Sequence, residues 1–249
     1  MQAVDIHKFK ASCENCNLSE LCLPHGLNST ELSELEQLVR QNRPLHKGDY
    51  LFRCGDPLSS LYAVRSGSIK LFTNSDNGEE QIIGFYLPGE IVGLDGFENS
   101  THSCCAVALE TSSLCTFPHS QLMEVCKSIP ALQEQMLRVM GREISHENRL
   151  LLTLGKKSAE ERIATFLISL STRFHQLGFS ADEFKLSMSR QEIGNYLGLT
   201  IETVSRIFSR FQKNQYIAIN NKHVQILDRK ALQSACNGFR GDVGRKAVS

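Results

Sequence analysis

Between Lys47 and about Pro118 the chain alternates short apolar runs with turn residues. Runs such as LYAVRSG and SIKLFT carry the alternation expected of strands with one buried face. The runs are separated by the glycines Gly48, Gly55, Gly67, Gly78 and Gly89. Turn residues at such intervals are typical of an antiparallel β-sandwich or barrel, and this part of the chain is predicted to be one.

After Pro130 the apolar positions take on the spacing of a helix. One series of six positions, five of them apolar, is separated alternately by three and four residues: Leu137, Met140, Ile144, Glu147, Leu151 and Leu154. This period of about 3.5 residues is that of a two-stranded coiled coil, so the helix is predicted to pair with a second copy of itself. In such a pair Glu147 faces its own copy, and two carboxylates in a partly desolvated seam repel each other. Glu147 is interpreted as a brake on association, with a swing of its side chain to the rim of the seam as the alternative.

The segment RQEIGNYLGLTIETVSRIFSRF, residues 190–211, has the pattern of a helix-turn-helix. Gly194 is small where the two helices must touch, and Gly198 falls at the turn between them. On the second helix, three polar residues at positions i, i+3 and i+4 share one face: Glu202, Ser205 and Arg206. They are predicted to read base edges in the major groove, although a solvated helix face has the same spacing. The following QYIAINNKHVQIL is predicted to be a hairpin, which makes the motif winged.

The net charge of zero conceals a difference between the two parts of the chain. Residues 1–155 contain 12 Lys and Arg against 19 Asp and Glu, a balance of −7. Residues 156–249 contain 15 against 8, a balance of +7. This asymmetry indicates an acidic sensory or protein-binding part joined to a basic part that meets a polyanion. Together with the helix-turn-helix pattern, it favours DNA as the polyanion.

Three cysteines, Cys13, Cys16 and Cys22, lie close together near the N-terminus. No run approaches the about 20 apolar residues that cross a bilayer, and the first residues lack a signal-peptide core, so a cytoplasmic location is expected. Thiols stay reduced in that compartment, where clustered cysteines indicate metal binding or redox chemistry rather than disulfides. Their C-x2-C-x5-C spacing does not by itself distinguish zinc from iron–sulfur ligation.

Together, the glycine-punctuated β-structure, the long helix and the winged helix-turn-helix resemble the CRP/FNR family of bacterial transcription regulators, over nearly the whole chain. The resemblance implies an α+β fold: an N-terminal antiparallel β-roll of the cyclic-nucleotide-binding type, a long dimerisation helix and a C-terminal winged helix-turn-helix. The expected divisions are an iron–sulfur ligand segment at 1–27, a sensory roll at 28–128, the dimerisation helix at 129–155 and a DNA-binding domain at 156–249. A protein of this kind is a transcription regulator and not an enzyme.

The recognition helix resembles that of the FNR branch of the family, because it contains the sequence ETVSR. For that branch the resemblance implies that Glu202, Ser205 and Arg206 are the base-reading residues. It also implies a DNA site in which a TTGAT-type half-site is repeated as a palindrome.

The roll is not expected to bind a cyclic nucleotide. The cyclic-nucleotide-binding pattern follows its Gly-Glu pair, here Gly89 and Glu90, with an Arg-Ser or Arg-Thr pair that neutralises the phosphate. At the corresponding place this chain has His102 and Ser103, with no arginine. A phosphate buried without its cation is energetically costly.

FNR-type regulators hold a [4Fe-4S] cluster through three clustered cysteines and a fourth one far downstream. The resemblance therefore implies that Cys13, Cys16, Cys22 and Cys115 are the ligands, the last of them 92 intervening residues after Cys22. It also implies that the intact cluster favours a DNA-binding homodimer in low oxygen, and that oxygen degrades the cluster and loosens the dimer. The other cysteines are expected to pack as small buried hydrophobic residues: Cys54, Cys104, Cys105, Cys126 and Cys236.

Such a regulator activates or represses genes of anaerobic metabolism and has RNA polymerase as a partner. The loop TNSDNGEE, residues 73–80, is a candidate polymerase contact, and an ordinary solvated hairpin turn fits it equally well. Two alternatives remain. One is a ligand- or thiol-responsive CRP/FNR-family regulator whose cysteines hold a structural zinc ion. The other is an electron carrier or redox enzyme, which would use the same thiolates but has no use for ETVSR on a basic half.

Overall fold

The computed structural model describes residues 13–75 and 77–237. The chain divides into two units, with the boundary between Glu147 and Asn148. Over the described residues the helices are α1 (Ser29–Leu38), α2 (His119–Ser128), α3 (Pro130–Lys156), α4 (Ala159–Gln176), α5 (Arg190–Leu197), α6 (Ile201–Lys213) and α7 (Arg229–Ala235). In this part of the chain, no helix is long and apolar enough to cross a membrane. Of the segment expected at 1–27, residues 1–12 lie outside the described residues.

In the first unit, eight strands of the described residues form two four-stranded antiparallel sheets. The strands are β1 (Arg40–Gln41), β2 (Tyr50–Phe52), β3 (Ser60–Ser66), β4 (Ile69–Asn74), β5 (Glu80–Tyr86), β6 (Ile91–Val92), β7 (Cys105–Ala108) and β8 (Ser113–Pro118). One sheet has the order β1-β8-β3-β6, and the other has the order β2-β7-β4-β5. The antiparallel β-roll predicted from the glycine-punctuated sequence is confirmed.

The connection between β3 and β4 explains one of the glycines. Gly67 has a φ of +81°, a conformation that residues with a side chain rarely adopt. A Cβ atom at this position would come within 2.3 Å of Ser112 Oγ and 2.6 Å of the Thr111 carbonyl oxygen. The adjacent Ser68 N–H donates a hydrogen bond of 3.1 Å to Ser112 Oγ. Glycine is therefore required at position 67, because the connection between β3 and β4 lies this close to the connection that contains Thr111 and Ser112.

Buried side chains from both sheets fill the space between them. They are Phe52, Val64, Ile69, Leu71, Tyr86, Val92, Cys104, Ala106, Ala108 and Leu114. The Tyr86 hydroxyl also donates a short hydrogen bond to the carboxylate of Glu143 on α3. The helix is thus joined to the roll by a polar contact as well as by apolar packing.

A second apolar core joins the cysteine-bearing segment to three helices and to the sheet that contains β3 and β8. Its buried members are Cys22, Leu23, Leu35, Leu58, Leu61, Ala63, Ile91, Phe117, Leu122, Cys126, Ile129, Leu132, Met136 and Val139. Leu23 and Leu132 are both fully buried in this cluster. The segment after the third cysteine is therefore packed into the same core as the first half of α3.

The second unit carries α4 to α7 and a three-stranded antiparallel sheet. The strands are β9 (Glu183–Lys185), β10 (Ile217–Asn220) and β11 (His223–Ile226), in the order β10-β11-β9. Strands β10 and β11 form the predicted hairpin, which confirms the wing. Strand β9 was not predicted, because it is three residues long and is defined by its pairing with β11.

Candidate metal centre and nucleic-acid interface

The segment that carries the first three cysteines is a series of tight turns. The Cys16 N–H donates to the Cys13 carbonyl at 3.2 Å, and the Ser19 N–H donates to the Cys16 carbonyl at 3.1 Å. The Cys22 N–H then donates to the Leu18 carbonyl at 3.0 Å. These backbone bonds fold the segment into a compact loop, residues 13–22, which is called the cysteine loop below.

Two residues outside the cysteine loop hold its ends. The Glu36 carboxylate on α1 accepts a short hydrogen bond from the Cys13 N–H and one of 3.0 Å from the Glu14 N–H. At the other end, the Gln135 side-chain amide on α3 donates a buried hydrogen bond of 2.9 Å to the Cys22 carbonyl. Neither contact has a signal in the sequence, because both join residues that are far apart along the chain.

The turn at Gly89 provides the surface on which the cysteine loop rests. Gly89 has a φ of +86°, and a Cβ atom there would lie 2.9 Å from Leu21 Cβ. In the sequence this glycine belongs to the Gly-Glu pair of the cyclic-nucleotide-binding pattern. In the structure it lets the cysteine loop approach the roll.

The fourth predicted ligand lies on a strand of the roll. Cys115 is in the middle of β8, where its Cα atom is paired with Ala63 on β3 and with Gln41 on β1. Its side chain is half-buried. A strand that is hydrogen-bonded on both sides supplies a rigid position for this thiol.

Burial and neighbouring charges raise the pKa of three of the four predicted ligands. The pKa of the Cys13 thiol is raised to about 12, mainly by burial and in addition by Cys115, Glu36 and Cys16, whereas Arg65 lowers it. Burial also raises the pKa of Cys22. A hydrogen bond from the Leu23 backbone lowers this pKa, and the other three thiols raise it. The pKa of Cys115 is raised by burial and by Cys16, and it is lowered by Arg65.

The structure packs the half-buried Cys115 against the apolar cluster that contains Cys22, at the end of the cysteine loop that carries Cys13 and Cys16, so the four residues lie at one corner of the first unit. Within residues 13–75 and 77–237, no three His, Cys, Asp or Glu side chains are grouped closely enough to hold a metal ion. The corner thus combines four thiols with the positive charge of Arg65, a residue that sequence reasoning did not identify.

The five remaining cysteines have different environments. Cys104, Cys105 and Cys126 are buried, as expected of cysteines that pack as small hydrophobic residues. Cys236 is half-buried at the end of α7, and Cys54 is exposed. For Cys54 the expectation of a buried residue is wrong, because it lies in the turn that follows β2 rather than in a strand.

A carboxylate contacts the two residues, His102 and Ser103, that stand where the cyclic-nucleotide-binding pattern has its phosphate-binding pair. Asp95 Oδ2 accepts hydrogen bonds from the Ser103 N–H at 2.8 Å and from Cys104 Sγ at 3.3 Å. Its Oδ1 lies 3.1 Å from His102 Nδ1. The imidazole of His102 is buried and stacks on Phe52, with 3.6 Å between the ring centroids. The donors at this place are thus turned toward a carboxylate of the chain itself.

The predicted seam of α3 is exposed to solvent in the single chain. The side chains of Leu137, Ile144 and Leu151 are 64%, 59% and 67% exposed, respectively. Glu147 is exposed as well, and Met140 and Leu154 are partly exposed. Exposed large apolar side chains at this spacing are typical of a surface that a second helix covers.

The helix-turn-helix is formed by α5 and α6. Gly198 ends α5 with a φ of +63°, and Thr200 caps α6 by accepting a hydrogen bond from the Thr203 N–H. A Cβ atom on Gly194 would lie 2.6 Å from the Leu199 carbonyl oxygen, which confirms the need for a small residue. The inner face of α6 packs through the buried residues Val204, Ile207, Phe208 and Phe211.

The three predicted base-reading residues lie on the opposite, outer face of α6. Glu202, Ser205 and Arg206 are all exposed. Hydrogen bonds from the Glu202 backbone N–H and the Thr200 hydroxyl lower the pKa of the Glu202 carboxyl. This carboxylate is therefore ionised and suited to accept a hydrogen bond from a base amine.

Comparisons with known proteins match both units. The family model described as "Cyclic nucleotide-binding domain" matches residues 42–129, and the one described as "Crp-like helix-turn-helix domain" matches residues 161–235. The structure is similar to that of FixK2 from Bradyrhizobium japonicum, with a TM-score of 0.73 and 27% sequence identity. That similarity covers 79% of this chain and 96% of the FixK2 chain.

Two curated relatives align over most of their length. The transcriptional activator protein Anr of Pseudomonas protegens is 52% identical over 229 residues, which cover 92% of this chain and 94% of Anr. The fumarate and nitrate reduction regulatory protein of Vibrio cholerae is 46% identical over 220 residues, which cover 88% of each chain.

Proposed function

Because the chain belongs to the CRP/FNR family of transcription regulators, as an FNR-type member, we propose that it controls genes of anaerobic metabolism in response to oxygen. Its relatives are transcription regulators, so the chain is a DNA-binding regulator and not an enzyme. The observation that carries the proposal of oxygen sensing is the packing of Cys115 against the cluster that contains Cys22, at the end of the loop that carries Cys13 and Cys16.

The residues at this corner fit a [4Fe-4S] cluster. Such a cluster takes four thiolates, and the ligands would be Cys13, Cys16, Cys22 and Cys115. Each thiolate binds a separate iron atom, so the four sulfur atoms need not meet around a single ion. Arg65 supplies positive charge beside a group that carries four thiolates, as its opposing effect on the pKa of Cys13 and Cys115 indicates. When bound, the cluster would supply an oxygen-labile group close to the surface.

The contact between Cys22 and Gln135 provides a route from the cysteine loop to α3. Gln135 and the core residues Leu132 and Met136 hold the end of the loop, and Leu137 of the seam follows two residues after Gln135. A change in the position of Cys22 therefore acts directly on the helix that carries the seam. A cofactor acts as a switch when it binds the two states of such an element differently.

The seam of α3 would form a homodimer in the cluster-bound state. Leu137, Ile144 and Leu151 would be covered by their copies, whereas Glu147 would face its own copy and oppose association. A dimer places two copies of α6 on one DNA duplex, as a palindrome of two TTGAT-type half-sites requires. Glu202, Ser205 and Arg206 would read each half-site.

The proposal also concerns the effector, the contact with RNA polymerase and the location of the protein. Asp95 faces the donors of the phosphate-binding place and would repel a phosphate, which argues against a cyclic nucleotide as the effector. RNA polymerase would contact the acidic first unit, with residues 73–80 as a candidate loop. The protein would act in the cytoplasm, where its DNA lies.

Purification without air tests the proposal. We expect a brown protein that contains four iron and four sulfide per chain, binds a TTGAT palindrome and loses both the colour and the binding in air. A colourless protein that contains zinc and binds DNA equally in both conditions would overturn the proposal. That result would support the alternative, a ligand- or thiol-responsive family member with a structural zinc ion.

A further inference from the structure

A second group of thiols lies in the roll, apart from the four proposed ligands. Cys54 is exposed in the turn after β2, where the Asp56 N–H donates to the Arg53 carbonyl at 3.0 Å. Cys105 is buried at the start of β7, the strand that pairs with β2. The thiol of Cys54 is therefore exposed to solvent, whereas the thiol of Cys105 is buried.

Cys54 and Cys105 are in direct contact. The Cys54 backbone N–H donates to Cys105 Sγ at 3.2 Å, and Cys54 Sγ donates to the Ser103 carbonyl at 3.4 Å. Because Cys105 Sγ lies 3.2 Å from the Cys54 backbone nitrogen, rotation of the Cys54 side chain can bring the two sulfur atoms together.

Cys104, the neighbour of Cys105, is held differently. It points into the core between the two sheets, and its Sγ donates to Asp95 Oδ2 at 3.3 Å. Burial and the carboxylate of Asp95 raise the pKa of this thiol. Because the thiolate is the nucleophile in disulfide formation, the raised pKa makes Cys104 a poor partner for Cys54.

We propose that Cys54 and Cys105 are a redox-active pair that hydroperoxides convert to a disulfide. The Cys54 thiolate attacks the peroxide, an S–O bond forms, the O–O bond breaks, and hydroxide or alkoxide leaves. The Cys105 thiolate then attacks the Cys54 sulfur, the S–S bond forms, the S–O bond breaks, and the oxygen leaves as water after protonation. A dithiol returns both sulfurs to thiols by two successive thiol–disulfide exchanges and is itself oxidised to a disulfide.

The pair gives the roll a second site of oxidation that uses none of the four proposed ligands. Its disulfide ties the turn after β2 to β7, next to Asp95 and the buried His102. The site would respond to hydroperoxide whatever the metal content of the chain. The proposal of a redox-active pair can therefore be tested independently of the oxygen-sensing proposal.

Mapping of disulfides in the full-length protein tests this inference. Protein prepared without air is treated with hydrogen peroxide, free thiols are alkylated, and the chain is digested without reduction for tandem mass spectrometry. We expect the peptide that begins at Cys54 to be joined to Cys105 in most molecules, and dithiothreitol to release it.

Three variants make the assignment specific. Cys104→Ser should retain the linkage, whereas Cys54→Ser and Cys105→Ser should lose it. Cys54→Ser changes an exposed residue, so its effect does not depend on repacking of the core. Linkage of Cys54 to Cys104 or to a proposed ligand would overturn the inference. Recovery of Cys54 as an alkylated thiol or as a sulfinic acid would do the same.

Discussion

The side-chain amide of Gln135 donates a hydrogen bond of 2.9 Å to the carbonyl of Cys22, 113 residues away along the chain. The other atom of the same amide, Oε1, is buried without a hydrogen-bond partner among the described residues. A buried polar atom left without a partner costs about 1–3 kcal/mol, so a glutamine here is expensive for stability. The hydrogen bond from Gln135 to the Cys22 carbonyl holds the cysteine loop on α3 and offsets this cost.

Replacement of Gln135 by leucine should separate the cysteine loop from α3. Leucine fills the core but leaves the Cys22 carbonyl without its donor, so we expect weaker dimerisation of the iron-loaded protein, by about tenfold or 1.4 kcal/mol. Sedimentation of anaerobically prepared protein measures the effect. Gln133→Leu, at an exposed position of the same helix, is the matched control and should dimerise normally. A Gln135→Leu protein that dimerises like the unmodified one would remove this contact from the switch.

The four proposed ligands should respond alike to substitution. Cys13→Ser, Cys16→Ser, Cys22→Ser or Cys115→Ser each removes a thiolate, and each should abolish iron binding and anaerobic DNA binding. Iron and sulfide analysis of protein prepared without air checks this result.

The other cysteines provide controls for the ligand assignment. Cys54→Ser, Cys126→Ser and Cys236→Ser should leave the iron content nearly unchanged. If Cys115→Ser kept its iron while Cys104→Ser or Cys105→Ser lost it, the fourth ligand would be assigned wrongly.

Arg206→Ala should weaken binding to DNA in a sequence-dependent way. Loss of a bidentate contact to a guanine edge costs about 1–3 kcal/mol and relaxes specificity at one base pair. Binding curves on the palindrome and on base-substituted versions of it measure both effects. Lys213, exposed at the end of α6, is suited to contact phosphate, so Lys213→Ala should weaken all sites alike. An equal loss on every sequence for Arg206→Ala would contradict direct readout.

Glu147→Ala should produce a dimer that forms in air. The substitution removes two facing carboxylates from a seam whose other members are apolar, so association no longer depends on the cluster. Analytical ultracentrifugation of the iron-free variant is the measurement, with Asn148→Ala as a control at the next exposed position. A variant as monomeric as the unmodified iron-free protein would leave Glu147 as a surface residue outside the seam.

Gly194→Ala should destabilise the helix-turn-helix. The added Cβ atom would lie 2.6 Å from the Leu199 carbonyl oxygen, a contact that forces the turn to move and costs about 1–3 kcal/mol. Gly155→Ala, near the end of α3, adds a Cβ atom with nothing within 4 Å and should be neutral or stabilising by up to about 1 kcal/mol. Thermal unfolding followed by circular dichroism compares the two. Equal stability of both variants would show that the turn tolerates a side chain.

Features that depend on neighbouring residues were predictable from the sequence. The turn at Gly198 and the exposed face of α6 each follow from spacings within a few residues, and the structure has both. The glycines that punctuate the first unit likewise predicted antiparallel strands. Local patterns specify local structure because the residues that form it are close together in the chain.

The residues that hold the cysteine loop were not predictable in this way. Glu36 is 23 residues from Cys13, and Gln135 is 113 residues from Cys22. Neither belongs to a motif, and a glutamate or a glutamine on a helix is ordinarily a solvated residue. Their roles emerge only when the fold brings α1 and α3 to the loop. The exposure of Cys54 was missed for a related reason, since it depends on where the turn after β2 lies.

The carboxylate of Asp95 limits which substitutions could convert this roll into a nucleotide-binding domain. An arginine placed at His102 would meet Asp95 and form an ion pair with it, so the new cation would be neutralised before any phosphate arrived. Removal of Asp95 alone would leave the Ser103 N–H and the Cys104 thiol without their acceptor. Changes at both positions are therefore required together, and single-residue engineering of a new ligand specificity should fail at this site.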